Sequence, residues 1–178
     1  MQPRFKPSWL LYGATGFTGG LIAREARARG HNVILAGRDQ DRLAALAQQL
    51  GTSFRVFDMG ERDTIDRGLS GVRLVLNCAG PFSLTASTLA QACLRTGAHY
   101  LDIAGEIADH RILQRLDERA RETGVMLMPG VGFGILPSDC LAAYLKERQH
   151  DAVTLTLAFC AGNSASHGTL ATLMESLQ

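Results

Sequence analysis

The chain has little that would mark it for a membrane, a metal or a nucleic acid. Of its 178 residues, 18 are Lys or Arg and 17 are Asp or Glu, so no excess of either sign marks a nucleic-acid face or an anionic membrane patch. No apolar run is long enough to span a bilayer. The apolar stretch Val125 to Leu136 is interrupted by Pro129, Gly130, Gly132 and Gly134. The N-terminal segment Met1 to Ser8 carries Arg4 and Lys6 and no apolar core, so no secretory leader is expected. Cysteine is sparse: Cys78, Cys93, Cys140 and Cys160 form neither a C-x-x-C pair nor a zinc-type cluster with histidine. The histidines, His31, His99, His110, His150 and His167, are equally scattered. A reduced, cytoplasmic protein without a metal site is the expectation.

Hydrophobic residues make up 46% of the chain, which is enough for a sizeable core. They are arranged as a loose repeat in which an amphipathic segment ends in Gly and an apolar run follows. Gly30 precedes Asn32 to Ala36, and Gly51 precedes Ser53 to Phe57. Gly71 precedes Val72 to Leu76, Gly97 precedes His99 to Ile103, and Gly124 precedes Val125 to Met128. Glycine just past a helix is a common stop because it lacks a Cβ. With Trp9 to Tyr12 as the first run, this predicts six strands alternating with helices. That order calls for an α/β fold, a Rossmann-type doubly wound parallel sheet. The expected core stripes are Phe17, Leu21 and Ile22 in the first helix and Leu43, Leu46 and Leu50 in the second. In the fifth helix they are Ile112, Leu113, Leu116 and Ala120.

The first strand runs into Gly13-Ala14-Thr15-Gly16-Phe17-Thr18-Gly19. A glycine turn between a first strand and a first helix is where such folds bind a dinucleotide pyrophosphate. The helix should begin near Phe17, presenting free N–H groups and a positive dipole end. Gly13 would permit the turn, Gly16 the approach of phosphate, and Gly19 close packing of helix on sheet. The alternative is a glycine turn without a ligand.

The second strand ends in Ala36-Gly37-Arg38, where an NAD-binding fold usually places an acid. A guanidinium there suits a 2′-phosphate, so the expected cofactor is NADP, with Gly37 and Arg38 in its site. The alternative is a solvated Arg opening a helix. Asp39 and Asp41 are expected to serve that helix's N-terminus.

Three further strand ends are rich in small or polar residues. Cys78, Ala79 and Gly80 follow the fourth strand, and would either let a cofactor lie close or form a plain turn. Asp102 ends the fifth strand and is a candidate for substrate binding or for a cap or structural hydrogen bond. Gly132 and Phe133 follow the sixth strand and are candidates on the substrate side, or part of a hinge.

Past that point the pattern changes. Pro137-Ser138-Asp139 reads as a helix start with Ser138 or Asp139 as the cap. Asp151 to Cys160 alternates like a half-buried antiparallel strand, and a helix should open at Gly168. The expected division is 1–148 as an NADP-binding domain and 149–178 as the truncated beginning of a second α/β domain for substrate or dimerisation.

Taken together, Tyr12 to Gly19, Asn77 to Phe82, Tyr100 to Glu106, Pro129 to Phe133 and Pro137 to Asp139 resemble the saccharopine dehydrogenase-like oxidoreductases, which include trans-acting enoyl reductases. The resemblance covers essentially the whole chain. It implies an NADP-binding Rossmann domain followed by a substrate domain. It also implies cofactor contacts from Gly13, Thr15, Gly16, Phe17, Thr18, Arg38, Ala79 and Gly80. With Ala14, Gly37 and Cys78 from the turns, these make the expected cofactor site. The chain departs from the lysine-pathway members at Gly132 to Asp139, so saccharopine does not follow as the substrate.

The implied reaction is NADP(H)-dependent hydride transfer at a C=N, C=C or C=O bond of a small molecule. No catalytic acid or base stands out in the sequence. A non-catalytic NADP(H)-sensing module would share the same motifs. An atypical short-chain reductase or epimerase would need Tyr-x-x-x-Lys, and none of Tyr12, Tyr100 and Tyr144 has a Lys four residues on. Neither a nucleic-acid partner nor a membrane span is expected, and a homodimer is the candidate assembly.

Overall fold

The computed structural model describes residues 8–158. Six parallel strands form one sheet in the order β3-β2-β1-β4-β5-β6. They are β1 (Trp9–Tyr12), β2 (Val33–Gly37), β3 (Phe54–Val56), β4 (Leu74–Asn77), β5 (His99–Asp102) and β6 (Leu127–Met128). The helices between them are α1 (Phe17–Ala28), α2 (Gln40–Leu50), α3 (Arg62–Leu69), α4 (Phe82–Thr96), and the pair α5 (Ile107–Gln114) and α6 (Asp117–Thr123). A last helix, α7 (Leu136–Arg148), follows β6. Strand order reverses between β1 and β4, and ligands of such sheets bind in the crevice beyond the carboxyl ends at that point. The doubly wound parallel architecture read from the sequence is therefore present.

The central strands β1, β2 and β4 are buried on both faces, as a parallel sheet requires, while the edge strands β3 and β6 are partly exposed. Successive side chains alternate in direction, so Leu10 and Tyr12 pack on one side with Ile65 and Leu69 of α3 and Leu89 of α4. Leu11, Val33 and Leu35 pack on the other side with Ala23 of α1 and Leu43 of α2. Gly51, Gly97 and Gly124 close α2, α4 and α6 in the left-handed conformation, in line with the glycine punctuation of the sequence.

Several expectations are corrected. Phe17 and Leu21 do not form the core stripe of α1; they are 73% and 53% exposed. The buried face of α1 is Gly19, Gly20, Ala23 and Ala26, because this helix lies too close to the sheet for large side chains. In α2 the buried residues are Leu43 and Ala47, with Leu46 and Leu50 only partly covered. The expected fifth helix is two short ones, and Ile112 faces outward while Leu113 and Ala120 are buried. Neither Ser138 nor Asp139 caps α7; its N-cap is Ile135, and the Ser138 hydroxyl donates to the Ile135 carbonyl at 2.8 Å.

Residues 151–158 form no strand, and every one is exposed. Val153, Leu155 and Leu157 alternate as a strand would, but a strand also needs a neighbour to bond its backbone, and none is present among the described residues. The helix expected from Gly168 lies outside the described residues.

Candidate functional site

The glycine turn stands at the strand-order reversal, held by the backbone of β2. Gly13 N and Ala14 N both donate to the Ala36 carbonyl, at 2.9 and 3.2 Å. Gly16 N closes the turn onto Gly13 O at 3.0 Å. Gly13 has φ +80°, and a Cβ on it would lie 2.8 Å from Ala79 N and from Cys78 C. The β1 and β4 turns thus touch backbone to backbone, which only glycine permits. A Cβ on Gly19 would lie 2.2 Å from Gly13 O, so α1 is seated directly on the turn. The roles expected of Gly13 and Gly19 hold as geometry.

The N-terminus of α1 has Gly16 as its N-cap, with no side-chain cap and no acid in its first turn. The same is true of α4, which opens after Pro81. Every other described helix carries Asp in its first turn: Asp41, Asp63, Asp109, Asp117 and Asp139. Acids favour helix N-termini, so the first turns of the two helices flanking the reversal point differ from the rest in carrying no carboxylate of their own against the positive dipole end. The hydroxyls of Thr15 and Thr18 make no hydrogen bond among the described residues. Gly16 and Phe17 are exposed, and Ala14 is buried beneath the turn.

Gly37 is buried as the last residue of β2, and its carbonyl accepts from Phe57 N at 2.9 Å. Arg38 follows it, exposed, and among the described residues its guanidinium makes no hydrogen bond or ion pair. Asp39 is engaged elsewhere, since its carboxylate caps α2 by accepting from Arg42 N at 3.1 Å. The acid nearest in sequence is thus tied to the helix, while the cation is open. Beside them Tyr12 donates to the Phe57 carbonyl at 3.2 Å. Burial, then the Asp58 charge, raises its phenol to about 12, partly offset by the Arg38 charge.

On the β4 side, Ala79 is fixed at both ends. Its N–H donates to Asn77 Oδ1 at 3.0 Å, and its carbonyl accepts from the Thr85 hydroxyl at 2.7 Å. Asn77 Nδ2 donates to Thr85 Oγ1 at 3.0 Å and to the Tyr100 hydroxyl at 3.2 Å. Tyr100 in turn donates to Asp102 Oδ2 at 2.9 Å. Asp102 Oδ1 accepts from Ala104 N at 3.0 Å and from Gly130 N at 2.9 Å. This network, buried at its centre, ties the ends of β4, β5 and β6 together. Asp102 is wholly buried with these donors around it, so of the two roles open in the sequence it performs the structural one here. In the sequence Asn77 and Tyr100 open two of the blocks that carry the resemblance but have no site role there, and Thr85 lies outside those blocks; the same-face spacing of Tyr100 and Asp102 is the local signal for their pairing.

Cys78 and Ala79 are half-buried beside Gly13, and Gly80, which follows them, is exposed. Burial, reinforced by the Asp102 charge, pushes the Cys78 thiol up to about 12, so it is a neutral wall and not a nucleophile at pH 7. Gly132 packs against Ile103, where a Cβ would lie 3.0 Å from Ile103 Cβ. Phe133 projects from the next position, 79% exposed. The strand ends thus gather Gly13 to Thr18, Gly37, Arg38 and Cys78 to Gly80 on one edge of the sheet. They also bring out Arg42, which sequence reading passed over: its Nη2 donates to the Thr15 carbonyl at 2.8 Å.

The cradle suits a dinucleotide on its own geometry. It has two uncapped helix ends, a backbone contact that a Cβ would fill, and an unpaired guanidinium at the end of β2. Among the described residues no cluster of His, Cys, Asp and Glu could hold a metal ion, and no helix is long and apolar enough to cross a membrane.

Comparisons with known proteins agree with this geometry. Residues 9–128 match the family model described as saccharopine dehydrogenase NADP binding domain. A trans-acting enoyl reductase of Mycobacterium ulcerans is 29% identical over 95% of this chain and 44% of its own length. A saccharopine dehydrogenase-like oxidoreductase of Rattus norvegicus is 28% identical over 89% of this chain and 42% of its own. The chain therefore spans less than half the length of these curated relatives. Among solved structures, saccharopine dehydrogenase (L-Glu forming) of Saccharomyces cerevisiae superposes with a TM-score of 0.68. Its identity is 18%, over 82% of this chain and 32% of that one, a likeness of fold. The chain belongs to the saccharopine dehydrogenase NADP-binding domain family, and NADP is its cofactor.

Proposed function

We propose that this chain is the cofactor-binding part of an NADP(H)-dependent oxidoreductase that moves hydride to or from a C=N, C=C or C=O bond. The observation that carries the reading is the open Arg38 guanidinium beside a glycine turn whose helix has neither a cap nor an acid. Gly13 to Thr18 would hold the pyrophosphate through backbone N–H groups and the Thr15 and Thr18 hydroxyls. Arg38 would take the 2′-phosphate, with Gly37 giving it a bare backbone neighbour. Cys78, Ala79 and Gly80 would line the cofactor's path, and Asp102, through Gly130 and Ala104, would keep the neighbouring turns in place. Gly132 and Phe133 would face the substrate. The nicotinamide supplies the hydride chemistry, while the protein binds and orients it. Residues 1–148 would form the cofactor domain, and 149–178 would open a further one.

A short-chain reductase mechanism is disfavoured by the one tyrosine with a cation four residues on. Arg148 stacks over the Tyr144 ring at 3.5 Å on an exposed helix far from the glycine turn in sequence.

Binding is tested by titrating the chain with NADP⁺ and NAD⁺ and repeating with Arg38→Ala. The substitution should cost about 1.5–3 kcal/mol for NADP⁺ and leave NAD⁺ nearly unchanged. Equal affinities in the parent would sink the assignment of Arg38. Turnover is tested on the full-length protein by following NADPH oxidation against an imine, an enoyl thioester and a ketone. Tight NADPH binding with no oxidation in any class would favour a sensing module.

A further inference from the structure

We infer that Thr85 is a positioning residue for the nicotinamide end of NADP, acting through the backbone of Ala79; this rests on the placement of the pyrophosphate and of Arg38 proposed above. A dinucleotide is a linear molecule, so fixing its middle and one end fixes the direction of the other. With the pyrophosphate at the N-terminus of α1 and the 2′-phosphate at Arg38, the adenosine half lies on the β2 side of β1. The strand order β2-β1-β4 then sends the nicotinamide half across the end of β4. The first wall it meets there is the turn after β4, whose Cys78 and Ala79 backbone lies directly against Gly13.

That wall is held from inside the protein. Cys78 N–H donates to the Tyr12 carbonyl at 2.8 Å. Ala79 N–H donates to Asn77 Oδ1 at 3.0 Å, Asn77 Nδ2 donates to Thr85 Oγ1 at 3.0 Å, and the Thr85 hydroxyl donates to the Ala79 carbonyl at 2.7 Å. These three bonds close a ring. Because Thr85 Oγ1 accepts from Asn77, its own proton is directed to Ala79. Thr85 is the fourth residue of α4, and its hydroxyl reaches six residues back, off the helix and onto the turn. Thr96 and Thr123 instead bond the carbonyl four residues back, the usual habit of a helical threonine. Both backbone polar groups of Ala79 are thus spent on side chains, so the turn presents a fixed surface and not a bonding partner. Hydride transfer depends on placing the nicotinamide ring to within about 1 Å, and a fixed wall serves that end. Asn77 also bonds Tyr100, and through it Asp102, so its loss would disturb the end of β5 as well. The Thr85 hydroxyl bonds only Asn77 and Ala79 among the described residues, so its removal isolates the turn.

The test compares the whole cofactor with its adenosine half. The chain is titrated with NADP⁺ and with adenosine 2′,5′-bisphosphate, as the parent, Thr85→Val, Thr85→Ser and Arg38→Ala. The emission of bound NADPH is read for each, since the reduced ring fluoresces according to how firmly it is held. Thermal unfolding checks that every variant is folded. Thr85→Val keeps the shape and loses the hydroxyl. It should weaken NADP⁺ by about threefold to tenfold, leave the bisphosphate within about twofold, and lower the emission of bound NADPH. Thr85→Ser keeps the hydroxyl and should restore both readouts. Arg38→Ala should weaken the two ligands by the same factor. If Thr85→Val weakens both ligands equally, Thr85 is only a brace of the fold and the proposal fails. It fails also if Thr85→Val changes neither the NADP⁺ affinity nor the emission, or if Thr85→Ser behaves as Thr85→Val does. An Arg38→Ala variant that binds both ligands as the parent does overturns the Arg38 assignment, and this proposal with it. An Arg38→Ala effect as expected, with Thr85→Val indistinguishable from the parent, overturns this proposal alone.

Discussion

Gly19→Ala and Gly20→Ala differ by one position on the same buried face of α1, and they should behave oppositely. Alanine is favoured over glycine inside a helix by about 1 kcal/mol, and that gain applies to both. At Gly20 the new methyl would lie 3.3 Å from Arg24 Nη1, the end of a flexible side chain, and 3.7 Å from Ala14 O. The arginine can swing aside, so most of the propensity gain should survive. At Gly19 the methyl would lie 2.2 Å from Gly13 O, 2.9 Å from Gly13 C and 3.0 Å from Ala14 Cα. All are backbone atoms of the turn and cannot rotate away. Relieving the contact moves α1 or the turn by about 1 Å, and such overpacking costs about 1–3 kcal/mol.

The net for Gly19→Ala is a loss of up to about 2 kcal/mol, which lowers the melting temperature of a chain this size by up to roughly 8 °C and leaves it about 1–3 kcal/mol below Gly20→Ala. The same shift carries the first-turn N–H groups away from where a phosphate would be held, so NADP⁺ affinity should fall with it. Calorimetry or urea unfolding, together with NADP⁺ titration, reads both effects. Gly20→Ala should melt at or slightly above the parent and bind NADP⁺ normally. A Gly19→Ala variant as stable and as tight-binding as Gly20→Ala would refute the close-packing account of the turn.

Two further predictions concern stability. Asp102→Ala leaves the Tyr100 hydroxyl and the N–H groups of Ala104 and Gly130 without their acceptor, at about 1–3 kcal/mol for each buried group left unsatisfied. Asp102→Asn keeps an oxygen for the N–H pair, so urea unfolding should rank the parent first, Asn second and Ala last; equal midpoints would contradict the network. The Arg95 guanidinium grips Asp66 with contacts of 2.6 to 3.2 Å, joining α4 to α3. The hydrogen bonds from Arg95, more than its charge, hold the Asp66 carboxyl below its ordinary value of 3.8. A depressed carboxyl contributes stability that is present above that ordinary value and is lost as pH falls through the lowered one. Asp66→Asn should therefore cost roughly 1 kcal/mol at pH 7 and progressively less in strong acid, read from urea midpoints across pH. A cost that does not shrink with acid would contradict the ion pair.

The sequence by itself determined whatever depends on neighbours along the chain. Glycine stops and apolar runs marked six strands and their order of alternation, because helix ends and strand burial leave local signatures. The glycine turn Gly13 to Gly19 was legible for the same reason, being built from consecutive residues; the phosphate contacts of that turn and of Arg38 are proposed, not observed. Only the tertiary structure decided which side chains face inward when helix and sheet come close. Phe17 and Leu21 yielded the buried face of α1 to Gly19, Gly20, Ala23 and Ala26, since the seat on Gly13 has no room for larger groups. It also decided Asp102, whose partner Gly130 lies 28 residues away, and Arg42, whose partner Thr15 lies 27 residues away. No period in the sequence encodes such pairs. They exist because the parallel sheet brings the carboxyl ends of separate strands to one edge.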